Sequence, residues 1–291
     1  MNGLAVVFVV ALFLVLWLLW RRRVGARSHT ISVDGLQRRY LLASPPTMTG
    51  RQPLLLCFHG GGGRPEWLAQ RSGLLKIGVR HGYAVAFPEA VDGWIDARPE
   101  RGGSPRDLDF VDALLDRLIA ERGIDPARIF AFGLSNGGLL VFRLACERPH
   151  RFGGFATALA NMPLAARPDA ADRAAPMVMV FGRRDRVMPW EGGRIARGRA
   201  GFGAGGAVMS AESTLRFWLD RNRAVPTPQR KRVTSAGRAV DISDYAADAR
   251  GAPVRFVVVE DWGHRWPRWP GFNVAELIVE FFSRLPTHDT R

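Results

Sequence analysis

The chain is poor in cysteine, lysine and tyrosine. Two cysteines, Cys57 and Cys146, in 291 residues exclude a disulfide-built scaffold, and no CxxC pair or Cys/His cluster offers a zinc site. Both cysteines fall in segments with buried patterns, so two separate buried thiols are expected. Of 41 basic residues only Lys76 and Lys231 are lysine, and the other 39 are arginine. No G-K-[ST] follows the glycine-rich segments, which argues against a P-loop. No internal repeat is visible, and the 32 glycines and 19 prolines show no collagen period. What remains is an ordinary globular composition, 47% hydrophobic and 23% charged, which excludes disorder as the main state.

The formal net charge is +14. Such an excess suits a nucleic-acid or anionic-membrane partner. The arginines are nevertheless spread along the chain, apart from Arg21-Arg22-Arg23, and no nucleic-acid-binding motif accompanies them. A solvated surface that uses arginine in place of lysine accounts for them, and no nucleic-acid partner is expected. Residues 4–20 form an unbroken apolar run ending in Trp17-Leu18-Leu19-Trp20, just before the arginine run. In a helix rising ~1.5 Å per residue, such a run comes close to spanning a bilayer core. The residues before it lack the basic stretch of a signal peptide, so an uncleaved single-pass anchor is expected. The positive-inside rule would put the following domain on the cytoplasmic side. The expected organisation is a membrane anchor and basic flank over 1–27, one domain over 28–286 and a short tail over 287–291.

Within that domain, residues 29–33 and 38–42 flank Asp34-Gly35 and predict a hairpin. Short apolar runs at 54–58, 83–87, 129–132, 155–159, 177–181 and 254–259 predict buried strands. Between them, helical periodicity marks 66–80, 107–122, 137–147, 213–222 and 274–285. The apolar stripe of 107–122 is carried by Leu108, Phe110, Val111, Leu114, Leu115 and Leu118, with Gly123 as its C-terminal stop. Strands alternating with helices predict an α/β fold with a mostly parallel sheet covered on both faces. Residues 191–211 predict a loop, and 223–252 an irregular excursion with a short hairpin near Gly237.

Four segments carry chemistry. Gly133-Leu134-Ser135-Asn136-Gly137 fits G-x-S-x-G between a strand and a helix, the setting of a nucleophile elbow. The glycines are needed because side chains would collide across so tight a turn. His59-Gly60-Gly61-Gly62-Gly63 directly follows the 54–58 strand. Backbone N–H groups can approach a developing oxyanion only where no side chain intrudes, so this is a candidate oxyanion loop. The expected donors are the N–H groups of Asn136 and Gly61, with Gly60 the near alternative, and His59 is expected to be structural. Asp185 follows the 177–181 strand, and His264 follows the 254–259 strand in Trp262-Gly263-His264-Arg265-Trp266-Pro267. The chain order Ser135, Asp185, His264 is the order of the α/β-hydrolase triad. Trp190 and Trp266 lie within a few residues of Asp185 and His264, and Trp94 follows the 83–87 strand. They are candidates for lining a substrate pocket, with ordinary core packing the alternative for each.

Together these segments resemble the α/β-hydrolase esterases of the polyhydroxybutyrate depolymerase and feruloyl esterase group. The likeness includes the opening hairpin Val33-Asp34-Gly35 to Leu42, the HGGGG loop and Tyr83–Pro88 with Trp94. It continues through Gly123-Ile124-Asp125-Pro126-Ala127-Arg128-Ile129, the elbow, Pro189-Trp190-Glu191-Gly192-Gly193 and Gly263–Pro267. It implies a fold with Ser135 as nucleophile, His264 as base and Asp185 as its orienting acid, hydrolysing small or oligomeric carboxylic esters without a metal or organic cofactor. The sequence departs from the family at Phe181-Gly182-Arg183-Arg184 and in an extra Trp269-Pro270, both flanking the site. Many members are exported, against the cytoplasmic side that the arginine run favours, so the side of the membrane stays open. A peptidase or acyltransferase with the same triad, or a non-catalytic protein of this fold, are the other readings.

Overall fold

The computed structural model describes residues 25–46, 50–98, 106–166, 173–196 and 205–286. The chain enters through an antiparallel hairpin, β1 (Arg27–Val33) and β2 (Leu36–Ala43). Asp34 and Gly35 both have positive φ, 50° and 76°. This is the two-residue turn whose twist matches that of the flanking strands. Then follow β3 (Gln52–Phe58), α1 (Pro65–Arg71), α2 (Leu74–Arg80), β4 (Ala84–Pro88), α3 (Arg106–Arg122), β5 (Ile124–Leu134) and α4 (Asn136–Glu147). Next come β6 (Gly154–Ala158), β7 (Met177–Gly182), two-residue strands β8 (Gly193–Arg194) and β9 (Ala207–Val208), and α5 (Ala211–Arg221). The described chain closes with β10 (Gln229–Ser235), β11 (Arg238–Tyr245), β12 (Val254–Val259), β13 (Arg268–Trp269), β14 (Phe272–Asn273) and α6 (Val274–Ser283).

The main sheet has ten described strands in the order β1-β2-β4-β3-β5-β6-β7-β12-β11-β10. Its six central strands, β4 to β12, run parallel, with antiparallel hairpins at both edges. Strand pleating divides the core in two. Leu54, Leu56 and Phe58 join α3, α4 and α5 on one face, while Leu55 and Cys57 join α1, α2 and α6 on the other. The same alternation separates Met177 and Met179 from Val178 and Val180. Strands buried on both faces read as continuous apolar runs, which is why they were legible. Cys57 and Cys146 are buried, unbridged thiols. Burial pushes both up in pKa, Cys146 to about 12, so they stay protonated.

Two expectations are corrected. The helix predicted over 66–80 is two helices, broken at Ser72-Gly73. Ser72 Oγ donates to Leu68 O at 2.6 Å and accepts from Leu74 N at 3.1 Å, and Gly73 turns left-handed at φ 85°. The excursion predicted over 223–252 does hold the expected hairpin near Gly237, but it is not irregular: its strands β10 and β11 are full members of the sheet. Its turn at Ala236-Gly237 has φ 47° and 72°. The apolar run 4–20 and the tail 287–291 lie outside the described residues. Among the described residues no helix is long and apolar enough to cross a membrane.

Candidate active site

Ser135 stands between β5 and α4 with φ 52° and ψ −119°, a conformation a non-glycine residue adopts only where its surroundings enforce it. The turn is tight because its glycines admit no side chain. A Cβ on Gly133 would lie 2.6 Å from Gly138 N, and one on Gly137 2.6 Å from His59 O. Gly137 therefore lets the elbow pack directly on the backbone that begins the glycine loop. Ser135 N also donates to Ala158 O at the end of β6, 2.9 Å away.

Three loops at the C-terminal edge of the parallel strands converge here. Ser135 Oγ lies 2.9 Å from His264 Nε2, and His264 Nδ1 lies 2.7 Å from Asp185 Oδ2. The other Asp185 oxygen accepts from Val187 N at 2.8 Å and Met188 N at 2.9 Å. The carboxylate is almost fully buried, while the imidazole keeps 21% of its side-chain surface open toward the cleft. The Asp and His loops are fastened by backbone bonds from Arg183 N to Val259 O and from Arg184 N to Trp262 O. The structure therefore brings together Ser135, Asp185 and His264, residues far apart in the chain, in one hydrogen-bonded line.

The glycine loop faces this line. A Cβ on Gly60 would lie 3.4 Å from Ser135 Cβ. Gly60 O is held by Gly63 N at 3.0 Å and lies 2.9 Å from His59 Nδ1. Ala90 N donates to His59 Nε2 at 3.1 Å, so the ring carries its proton on Nδ1 and donates it to Gly60 O. Burial lowers the His59 pKa, which agrees with a neutral ring. Asn136 opens α4, where its N–H has no helical carbonyl to meet. Its side chain is locked: Oδ1 accepts from Trp94 N at 2.8 Å, and Nδ2 donates to Asp96 Oδ2 at 2.9 Å. Asp96 in turn forms a fully buried two-bond pair with Arg98, both bonds 2.8 Å.

The cleft over Ser135 has a volume of about 360 Å³. It is lined by Gly60 to Gly63, Leu134, Leu159, Trp67, Trp266 and Arg265 together with Ser135 and His264. Of the three candidate tryptophans only Trp266 lines it. Trp266 packs edge-on against Phe132, and its Nε1 donates to Ser72 O at the break between α1 and α2. Trp94 is fully buried beneath the glycine loop, donating from Nε1 to His59 O at 2.8 Å. Trp190 packs against Phe181 and Phe256 and lines a different groove between α5 and the sheet edge. Both are thus corrected from pocket walls to packing. Trp67 and Leu159 line the cleft although sequence reasoning passed over them. Trp67 was detectable in principle: it lies off the face of α1 that buries Leu68 and Ala69, and it is 41% exposed. Leu159 takes a positive φ of 53°, which no local pattern announces. Among the described residues no group of three or more His, Cys, Asp or Glu side chains could hold a metal ion.

No family model matches the chain. It is 30% identical over 294 aligned positions to "Putative esterase NocK" of Nocardia uniformis, an alignment covering 93% of this chain and 83% of that protein. It is 26% identical over 213 positions to feruloyl esterase D of Neurospora crassa, covering 65% of this chain and 71% of the relative. Among solved structures, an acetyl xylan esterase from Aspergillus awamori superposes with a TM-score of 0.60 at 11% identity, covering 88% of this chain and 99% of the other. The parallel sheet, its strand order and a relative aligned over nearly the whole chain lead to one conclusion: the protein belongs to the α/β-hydrolase esterases, enzymes that act on ester bonds.

Proposed function

We propose that the protein hydrolyses carboxylic esters through a serine acyl-enzyme, with Ser135 as nucleophile, His264 as general base and then acid, and Asp185 as the group that orients the imidazole. The observation that carries this reading is the two-bond line from Ser135 Oγ through His264 to the buried Asp185, at 2.9 and 2.7 Å. In the acylation half, His264 Nε2 takes the hydroxyl proton as Oγ bonds to the ester carbonyl carbon. The carbonyl electron pair moves onto oxygen. Collapse of this intermediate breaks the bond to the alcohol oxygen, which receives the proton from Nε2. In the second half, water gives a proton to Nε2 and attacks the acyl carbon. Release of Oγ returns that proton to Ser135 and frees the acid. Asp185 keeps the imidazole proton on Nδ1 and stabilises the imidazolium between the two transfers.

The oxyanion would rest on the N–H groups of Asn136 and Gly61. The planar trans peptide favours Gly61 over Gly60. The Gly60 carbonyl is fastened to His59 and Gly63, so the Gly61 N–H in the same plane points the opposite way. Losing one such donor typically costs ~3–4 kcal/mol of transition-state stabilisation. Leu134, Leu159, Trp67 and Trp266 would supply the apolar contacts for the ester. A screen across short-chain aryl, hydroxycinnamoyl and hydroxyalkanoate esters ranks the ester classes within this reading.

Ser135→Ala should abolish turnover of a short-chain aryl ester, by up to ~10⁶-fold, with the fold intact by circular dichroism. Labelling by a fluorophosphonate probe should disappear with it and in His264→Ala. Near-parental hydrolysis by Ser135→Ala would overturn the assignment.

A further inference from the structure

Arg265 has no use in the reaction just described. It directly follows His264 and lines the same cleft, where it is the one described wall residue with a permanent charge. The acids nearest to it in sequence are already taken. Asp261 pairs with Arg184 at 2.7 Å, Glu260 with Arg183 at 3.3 Å, and Glu276 with Arg80 at 2.8 Å. On the opposite side, Glu66, next to Trp67, is held by Arg39. Arg265 makes no ion pair with any described residue. Its guanidinium carbon lies 4.4 Å above the Trp262 ring, and its own carbonyl accepts from Trp262 Nε1 at 2.6 Å.

Those contacts define what the side chain can still do. A guanidinium held over an indole is attracted by the ring and still keeps N–H donors for a second partner. Those donors match a carboxylate, which accepts two parallel bonds. Because the contact with Trp262 already restrains the side chain, less conformational freedom is lost on pairing. Apart from Ser135 and His264, which the reaction uses, the rest of the wall is glycine backbone, leucine and indole, so Arg265 is its one permanent positive charge.

We propose that Arg265 selects esters carrying a carboxylate, beyond the scissile group, on the acyl portion. The natural substrate class would then be half-esters of dicarboxylic acids, or acyl chains ending in an acid. This inference rests on the serine-esterase reading above and names the substrate class of that same site.

The test compares 4-nitrophenyl hydrogen glutarate with 4-nitrophenyl pentanoate, which have acyl chains of the same length with and without the terminal charge. The readout is the ratio of their kcat/KM values in the parent, Arg265→Met and Arg265→Lys, corrected for spontaneous hydrolysis. A charge-assisted hydrogen bond of typical strength predicts a ratio that falls by about tenfold to a hundredfold in Arg265→Met. Arg265→Lys should recover part of it, since the charge returns without the fork. In the parent the ratio should also drop as ionic strength rises. A ratio unchanged between parent and Arg265→Met overturns the proposal, as does a parent that prefers the neutral ester. Neither result touches the serine-esterase reading, which fails separately if neither ester is turned over in a Ser135-dependent way.

Discussion

Asp185→Asn isolates the role of one oxygen. The Asp185 carboxylate serves two directions at once. Oδ2 faces His264 Nδ1 at 2.7 Å, and Oδ1 accepts from Val187 N and Met188 N at 2.8 and 2.9 Å. An asparagine has one acceptor and one donor end to distribute over these places. The two backbone N–H groups cannot turn around, so the amide oxygen must stay with them. Turning the amide the other way would set its NH₂ against two fixed donors and leave them unpaired, at about 1–3 kcal/mol for each buried group. The NH₂ then points at His264 Nδ1, which must become an acceptor and move its proton to Nε2. A protonated Nε2 on a neutral ring cannot take the Ser135 proton. The expected loss in kcat is ~10⁴-fold, the scale of a triad held in the wrong tautomer. This corresponds to roughly 5 kcal/mol of barrier. Thermal stability should barely change, because shape and backbone bonds are kept. Steady-state hydrolysis of 4-nitrophenyl acetate near pH 7, with a melting curve on the same sample, reads both quantities. An Asp185→Asn enzyme within tenfold of the parent would refute the argument. Asp185→Ala should differ by also melting lower, since the buried Met188 N–H loses its acceptor.

Other consequences follow from the same geometry. In Gly137→Ala the new Cβ would meet His59 O at 2.6 Å and push the elbow away from the glycine loop. A displacement of that kind should cost about 10²-fold or more in kcat/KM, and parental activity would contradict the packing described. Arg38→Met should destabilise by about 3–5 kcal/mol in chemical denaturation, because it strands the buried Asp107 carboxylate that Arg38 meets at 2.7 Å. Asp107→Leu added to it should recover part of that loss, and strict additivity would argue against a coupled pair. His59 is buried and neutral, its pKa lowered from the ordinary 6.5 chiefly by desolvation. Above that value both folded and unfolded chains carry a neutral ring, so it contributes no pH dependence. As pH falls below it the unfolded chain binds a proton that folded His59 refuses, and stability declines until the folded pKa is passed. Melting temperatures between pH 7.5 and 5 should therefore fall less steeply in His59→Gln, and equal slopes would count against this account.

Much of the architecture was legible. The 254–259 strand falls on β12 to the residue, and the Asp34-Gly35 turn and the α3 stripe sit where composition and periodicity put them. The elbow was readable because its glycines answer a local steric demand. The misses have physical causes. Residues 66–80 keep a helical pattern through Ser72-Gly73. The break rests on a serine that bonds back to its own turn and on a glycine whose Cβ would strike the Asn273 side chain on the far side of the chain. β10, with the sequence QRKRVTS, shows no apolar alternation because it is an exposed edge, where charge protects against unwanted pairing. Burial gives no signal on such an edge, and β1, equally exposed, was legible through its Asp34-Gly35 turn.

The tryptophans mark the boundary between the two kinds of information. Composition and local order determined that tryptophans lie near Asp185 and His264, that a serine sits on a tight strand-to-helix turn, and that an aspartate and a histidine follow later strands. Only the tertiary structure decided that Trp94 lies beneath the glycine loop, Trp190 behind the sheet edge and Trp266 in the cleft wall. Only it pairs Asp96 with Arg98 under Asn136 and leaves Arg265 without an acid. Periodicity reports how deeply a residue is buried along its own element. Which residues then become its neighbours is set by the strand order, which brings Ser135 and His264 together across 129 positions of chain.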